Sequence, residues 1–256
     1  MAGRPYVLAE TTWKAVRETD YEVAVLPWGA TEAHNYHLPY GADIIESEQI
    51  AIESARLAWE SGAKIVVLPT VPFGVNTQQL DITLTLNLNP STQAGVLEDL
   101  VRSLDGQGIP KLVILNGHGG NDFRQIIREL QPKVRIFLCT LNWYTVVPAE
   151  EFFEKAGDHA GELETSLMLH LAPNWVLPLS EAGAGRAKNF RIRAFREGWA
   201  WTPRHWTQIT SDTGVGEPSL ASAEKGHCYY EAVTQKTAEF LVELAAIDLA
   251  RLYDDS

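Results

Sequence analysis

Four short apolar runs punctuate the chain: EVAVLPW at 22–28, KIVVLP at 64–69, KLVIL at 111–115 and KVRIFLC at 133–139. Each is too short for a stable helix and is bounded by Gly, Pro or Asn, which reads as a strand buried on both faces. Helical stretches lie between them. In the segment 44–60, Ile45, Gln49, Ile52, Ala55 and Trp59 recur at spacings of three or four, and Ser61-Gly62 supplies a stop. Pro90-Ser91 opens a second helix, whose stripe over 92–104 runs through Ala94, Leu97, Leu100 and Leu104; a third is expected over 122–130. Strand, loop and helix in this alternation predict a three-layer α/β/α sandwich with a mainly parallel central sheet.

The remaining segments are less regular. DITLTLNL at 81–88 alternates as a strand or hairpin arm would, and Leu163, Leu167 and Leu171 predict a helix over 159–171 that ends before Pro173. Residues 172–219 are rich in Gly, Pro, Trp and Arg, and read as a long loop holding one or two short strands, such as 190–195. That region is expected to cap a site or to build a subunit contact. A final long helix spans 222–252, with a break allowed near Gly226. No linker divides the chain, so residues 1–256 are expected to form a single domain.

Composition removes several function classes. Thirty-three Asp and Glu against twenty-one Lys and Arg give a formal charge of −12, which argues against nucleic-acid or anionic-membrane partners. The two cysteines, Cys139 and Cys228, are far apart and indicate neither a disulfide framework nor a Cys-rich metal site. The segment MAGRPYVLAETTWKAV lacks a continuous apolar run, so a soluble cytoplasmic protein is expected.

Three polar segments stand out against this background. Directly after the first strand, Gly29 to Asp43 concentrates Glu32, His34, His37 and Asp43. In an extended segment Glu32 and His34 point to one side, and Asp43 returns through a Pro/Gly loop as a bridging carboxylate. The alternatives are a solvated loop acid for Glu32, a core histidine for His34, a helix cap for Asp43 and a structural hydrogen bond for His37. After the third strand comes Asn116-Gly117-His118-Gly119-Gly120-Asn121, a tight loop offering His118 as a ligand without a dinucleotide or Walker pattern. Finally, Asp158-His159-Ala160-Gly161-Glu162-Leu163-Glu164 opens a helix. There His159 and Glu162, three apart, are the candidate catalytic pair, and Glu164 is a candidate metal carboxylate. Helix capping by Asp158 and a first-turn dipole interaction by Glu162 are the bland readings. Two divalent ions held by such groups would suit hydrolysis, one polarising a carbonyl and the other acidifying a water, with His159 moving the proton.

Taken together, the Glu-x-His pair with its later Asp, the Asn-Gly-His loop and the His-Ala-Gly-x-x-Glu-Thr helix start resemble the creatininase family of creatinine amidohydrolases. The resemblance implies an α/β fold, a binuclear metal centre, hydrolysis of a nonpeptide C–N bond in a small cyclic amide or formamide, and a homo-oligomer, frequently a homohexamer. It also implies that Glu32, Asp43 and His118 hold one ion and that His34 and Asp43 hold the other. Creatininase itself completes the second ion with a Glu two residues after the loop His; here that position is Gly120, so Glu164 is the expected replacement. His159 matches the family's catalytic His, while the Trp expected four residues before it is Lys155. Zn is the default metal, with Mn or Fe allowed by an all-N,O ligand set. Two alternatives remain: a short-peptide metallopeptidase in cofactor maturation, and a non-catalytic, metal-stabilised binding or structural protein.

Overall fold

In the computed structural model, which describes residues 3–253, the apolar runs become the strands of one sheet. The chain passes through α1 (Trp13–Arg17), β1 (Val23–Trp28), α2 (Ala42–Glu60), β2 (Ile65–Val67), α3 (Pro90–Gln107) and β3 (Lys111–Asn116). It continues with α4 (Arg124–Leu130), β4 (Phe137–Asn142), α5 (Glu162–Leu171), α6 (Arg193–Arg196), α7 (Trp206–Ile209) and α8 (Ala223–Ala246). The sheet order is β2-β1-β3-β4, and all three pairings are parallel.

Every residue of β1 and β3 is buried, and strand alternation sorts them between two cores. Val23, Val25, Val113 and Leu115 face α2 and α8 through Ile50, Ala55, Val233 and Leu241. On the opposite face Ala24, Leu26, Leu112 and Ile114 meet Leu97 and Val101 of α3 and Leu130 of α4. The three-layer α/β arrangement follows from this two-sided burial.

Local chemistry sets the helix ends. Pro90 opens α3 and Gly108, at φ 82°, closes it in the left-handed region. Ser222 Oγ caps α8 by accepting from Lys225 N at 3.2 Å. At the other end of α8, the buried Lys111 ammonium donates to the carbonyls of Leu244, Ala245 and Ile247 at 2.6, 2.9 and 3.0 Å.

Several expectations are corrected. Gly226 does not break α8: a Cβ there would lie 1.9 Å from Ser166 O, so the glycine permits α8 to press against α5. Residues 81–88 form turns with isolated bridges at Leu86 and Asn87, because Leu84 and Leu86 stand exposed rather than packed on a sheet. The short strand expected at 190–195 is replaced by α6. The last strand starts at Phe137, after a 3-10 turn over Gln131–Lys133. Among the described residues no helix is long and apolar enough to cross a membrane.

β1 leads to β2 on one side and β3 to β4 on the other, so strand order reverses between β1 and β3. The crevice beyond the carboxyl ends of such a pair is where open α/β sheets place their ligands.

Candidate metal centre

The polar segments converge on that crevice. From the end of β1 the chain turns at Gly29, where a Cβ would come within 2.8 Å of the Asp43 backbone, and runs through Glu32 and His34 before α2 brings Asp43 back in its first turn. Beyond β3, Asn116 Oδ1 accepts from His118 N at 3.2 Å and Asn121 Nδ2 at 2.9 Å, which fixes the His118 loop. Ala160 adopts φ 49°, a left-handed bend that separates His159 from α5. Its N–H donates to the Glu164 carboxylate one turn into the helix.

Asp43 lies at the middle of the cluster. Its Oδ1 is 2.9 Å from His34 Nε2 and its Oδ2 is 3.1 Å from His118 Nδ1. His118 Nδ1 is also 2.8 Å from Glu32 Oε1, and His159 Nδ1 is 4.0 Å from the same oxygen. Donor atoms within 4.8 Å of one another form the sets Glu32/Asp43/His118, His34/Asp43/Glu164 and Glu32/His34/His159, each able to hold a metal ion. The far nitrogen of each histidine meets a backbone carbonyl: His34 Nδ1 with Glu32 O at 3.1 Å, His118 Nε2 with Val75 O at 3.0 Å, and His159 Nε2 with Ala33 O at 2.8 Å. A carbonyl only accepts, so these contacts put a proton on the far nitrogens and aim the near ones at the carboxylates.

Burial opposes charge throughout the cluster, and the partners decide which groups carry it. Burial disfavours a charged His34, yet Asp43, Glu164 and Glu32 outweigh it and push its pKa up to about 10. Burial likewise opposes charge on His118, but Glu32 and Asp43 hold it protonated well above the usual imidazole range. Glu32 and Asp43 are held below the ordinary carboxylate range against their burial, Glu32 by His118 and His159, and Asp43 by His34 and His118. Glu164 is raised, by burial first.

Glu162 is not part of this cluster. Its carboxylate accepts from Lys155 N at 2.7 Å and pairs with Lys225 Nζ at 2.5 Å, facing α8. The expected shared helical face with His159 does not exist, because the helix begins only at Glu162. His37 turns away to Thr165 Oγ1 at 2.9 Å, and Asp158 pairs with Arg204 at 2.5 Å. A Cβ on Gly120 would lie 2.2 Å from Val75 O, so no side chain fits there.

Sequence reading missed two residues. Gln79, in a 3-10 turn, donates to Glu32 Oε2; it comes from an irregular segment without periodicity. Glu46 is fully buried, with both oxygens lacking a partner, and burial with Glu164 and Asp43 nearby drives its pKa well up. Its spacing of three from Asp43 on α2 was the available signal.

A cavity of about 650 Å³ opens over the cluster, reaching Glu32, Asp43, His118, His159 and Glu164. Phe190, Trp201, Arg204 and Trp206, all from the long 172–219 region, contribute to its lining, as does the buried Trp143.

Known proteins share this fold. A crystal structure from Bacteroides fragilis NCTC 9343, assigned by name alone to the creatinine amidohydrolases, superposes with a TM-score of 0.91 at 44% identity, over 98% of this chain and 99% of that one. The creatinine amidohydrolase of Pseudomonas putida is 30% identical over 199 residues, 66% of this chain and 73% of its own. The mycofactocin precursor peptide peptidase of Mycobacterium tuberculosis H37Rv is 27% identical over 219 residues, 82% of this chain and 80% of its own. Creatininase structures at 25% identity include a Zn-Zn type and an Mn form, with TM-scores of 0.76 and 0.75; each aligns with 95% of this chain and with 100% of its own. The model of the creatinine amidohydrolase family matches residues 9–241, and on that match this chain belongs to the creatininase family.

Proposed function

We propose that this chain is a metal-dependent amidohydrolase that cleaves a nonpeptide C–N bond of a small cyclic amide or formamide by attack of an activated water. Glu32, Asp43 and His118 would hold one divalent ion and His34, Asp43 and Glu164 a second, with Asp43 shared. The observation that supports this is the orientation of the three imidazoles, each anchored by its far nitrogen to a backbone carbonyl. The near nitrogen of His118 then meets two carboxylate oxygens within 3.1 Å, an arrangement that repels unless a cation or a proton lies between. An all-N,O donor set of this kind suits Zn first, and Mn or Fe also.

When bound, divalent ions supply polarisation of the amide carbonyl and a lowered pKa for the attacking water. The protein's own residues supply the rest. His159 lines the cavity and keeps its Nε2–H on Ala33 O, so Nδ1 is the atom that takes the proton from water and passes it to the departing nitrogen. Gln79 steadies Glu32 by donating its amide N–H to Oε2, the oxygen that does not face His118. Trp143 and Trp206 give the cavity apolar walls that limit access of bulk water.

The test is metal analysis of protein purified from metal-replete medium, coupled to hydrolysis of a panel of cyclic amides and formamides. Two ions per chain, with activity lost on chelation and restored by Zn or Mn, is the expected result. Substoichiometric metal, or turnover indifferent to chelator, overturns the proposal.

A second reading, a metallopeptidase acting on a short peptide, is supported by the likeness to the mycobacterial precursor peptide peptidase. Product analysis separates the two. Release of amino acids or dipeptides from short peptides, with cyclic amides and formamides untouched, selects the peptidase. Bound metal without turnover of either class leaves a metal-stabilised binding protein.

A further inference from the structure

Arg204 is the one Lys or Arg among the described residues that line the cavity. The other charged or titratable groups of the lining are carboxylates and imidazoles, set among aromatic rings and small or uncharged polar residues such as Gly119, Thr77 and Gln78. Its guanidinium carbon sits 4.6 Å over the ring of Trp206. That ring is itself fixed: it is buried, donates Nε1–H to Thr213 O at 2.8 Å, and stands edge-on to His159 at 5.4 Å between ring centres. The cation is therefore held on a rigid shelf, one indole away from the His159 imidazole, and loses little freedom on binding a ligand.

Its only charged partner among the described residues is Asp158, at 2.5 Å from one terminal nitrogen, and that pair is partly exposed. No hydrogen bond from the guanidinium to another protein acceptor is formed among the described residues. A planar five-donor fork needs two parallel acceptors to be satisfied, and one carboxylate oxygen does not provide them. Exposed pairs of this type contribute little, so a ligand carboxylate can share or displace Asp158 at small cost.

We infer that Arg204 recognises a carboxylate on the substrate, and that the chain acts on amides carrying a carboxylate away from the scissile carbonyl. This rests on the hydrolase reading of the same cavity. A single guanidinium already half-neutralised by Asp158 matches one negative charge, and so favours a carboxylate over a phosphate dianion. Arg204 thereby becomes a specificity-determining residue in the lining of the same cavity as the carboxylate and imidazole cluster.

The test compares pyroglutamate with its neutral carboxamide, pyroglutamamide, by ligand-detected NMR or calorimetric titration of the Zn-loaded protein. Binding is read directly and needs no turnover. The wild type is expected to bind pyroglutamate about tenfold or more tightly than pyroglutamamide. Arg204→Met should bring the two within about twofold, Arg204→Lys should fall between, and Asp158→Asn should increase the preference. Equal binding of the two ligands by the wild type, or an undiminished preference in Arg204→Met, overturns the inference. A protein that hydrolyses neutral amides without this preference refutes Arg204 recognition alone. Conversely, an Arg204-dependent preference in a protein that binds no metal refutes the hydrolase reading and leaves an anion-binding pocket.

Discussion

Nδ1 of His118 lies 3.1 Å from Oδ2 of Asp43, and that oxygen accepts no aligned hydrogen bond. The other oxygen of Asp43 is turned to His34, so one carboxylate serves both halves of the cluster. Asp43→Asn is accordingly expected to lower the affinity for both ions by more than the roughly 10–100-fold typical of outer-shell changes. His118→Ala should weaken one ion only. Metal content after dialysis against a graded chelator measures this, and retention of a full complement by Asp43→Asn contradicts the shared role.

Metal uptake should release protons. His34, pushed up to about 10, and His118, raised well above its usual range, carry an extra proton at neutral pH, and an imidazole must be neutral to bind a metal ion. Zn affinity should therefore rise with pH across the neutral range. Calorimetric titrations in two buffers of different ionisation enthalpy count the protons; a count of zero at pH 7 contradicts the charge assignment.

Gly120→Glu would not recreate the ligand that creatininase carries at this position. Its Cβ would meet Val75 O at 2.2 Å and His118 Nε2 at 2.4 Å, so His118 loses its carbonyl anchor. The expected outcome is a destabilisation of about 1–3 kcal/mol and weaker metal binding, read by urea unfolding and metal analysis. Tighter metal binding in this variant would show that the loop has room that the structure denies.

Burial, with a contribution from the His34 charge, pushes the pKa of His37 down to about 4 from an ordinary 6.5. Between those values the unfolded chain binds a proton that the folded one refuses. Stability is thus fully present above about pH 6.5 and is lost as pH falls toward 4. The difference in unfolding free energy between wild type and His37→Asn should shrink over that window, and a pH-independent difference contradicts the burial of a neutral imidazole.

Lys111→Met removes the ammonium that satisfies three carbonyls at the end of α8. Leaving buried acceptors unpaired costs about 1–3 kcal/mol. A lower urea midpoint with faster amide exchange confined to the last turn of α8 is expected; an unchanged midpoint would mean water replaces the ammonium without loss.

What the sequence revealed depended on whether local pattern and tertiary environment agreed. Val23–Trp28 and Lys111–Asn116 are legible as strands because their two-sided burial leaves an uninterrupted apolar run. Glu32, His34, Asp43 and His118 were identifiable because they follow those strands directly or open the next helix. Glu162 departs from the face that helical spacing predicts, because the left-handed backbone at Ala160 delays the helix to Glu162 and leaves His159 outside it. Gln79 left no trace, since its approach to Glu32 depends on a turn without periodicity. The alternation of 81–88 mimicked a strand because exposure, invisible in the sequence, decides whether alternating leucines have a sheet to rest on.

The parallel pairing of β1 with β3 sets Ala24 beside Leu112, strands whose connection runs through α2, β2 and α3. Such long-range docking is slow relative to local helix formation. Glu32 and His118 meet only once it is complete, so an unfinished chain presents no assembled cluster for a cation to capture.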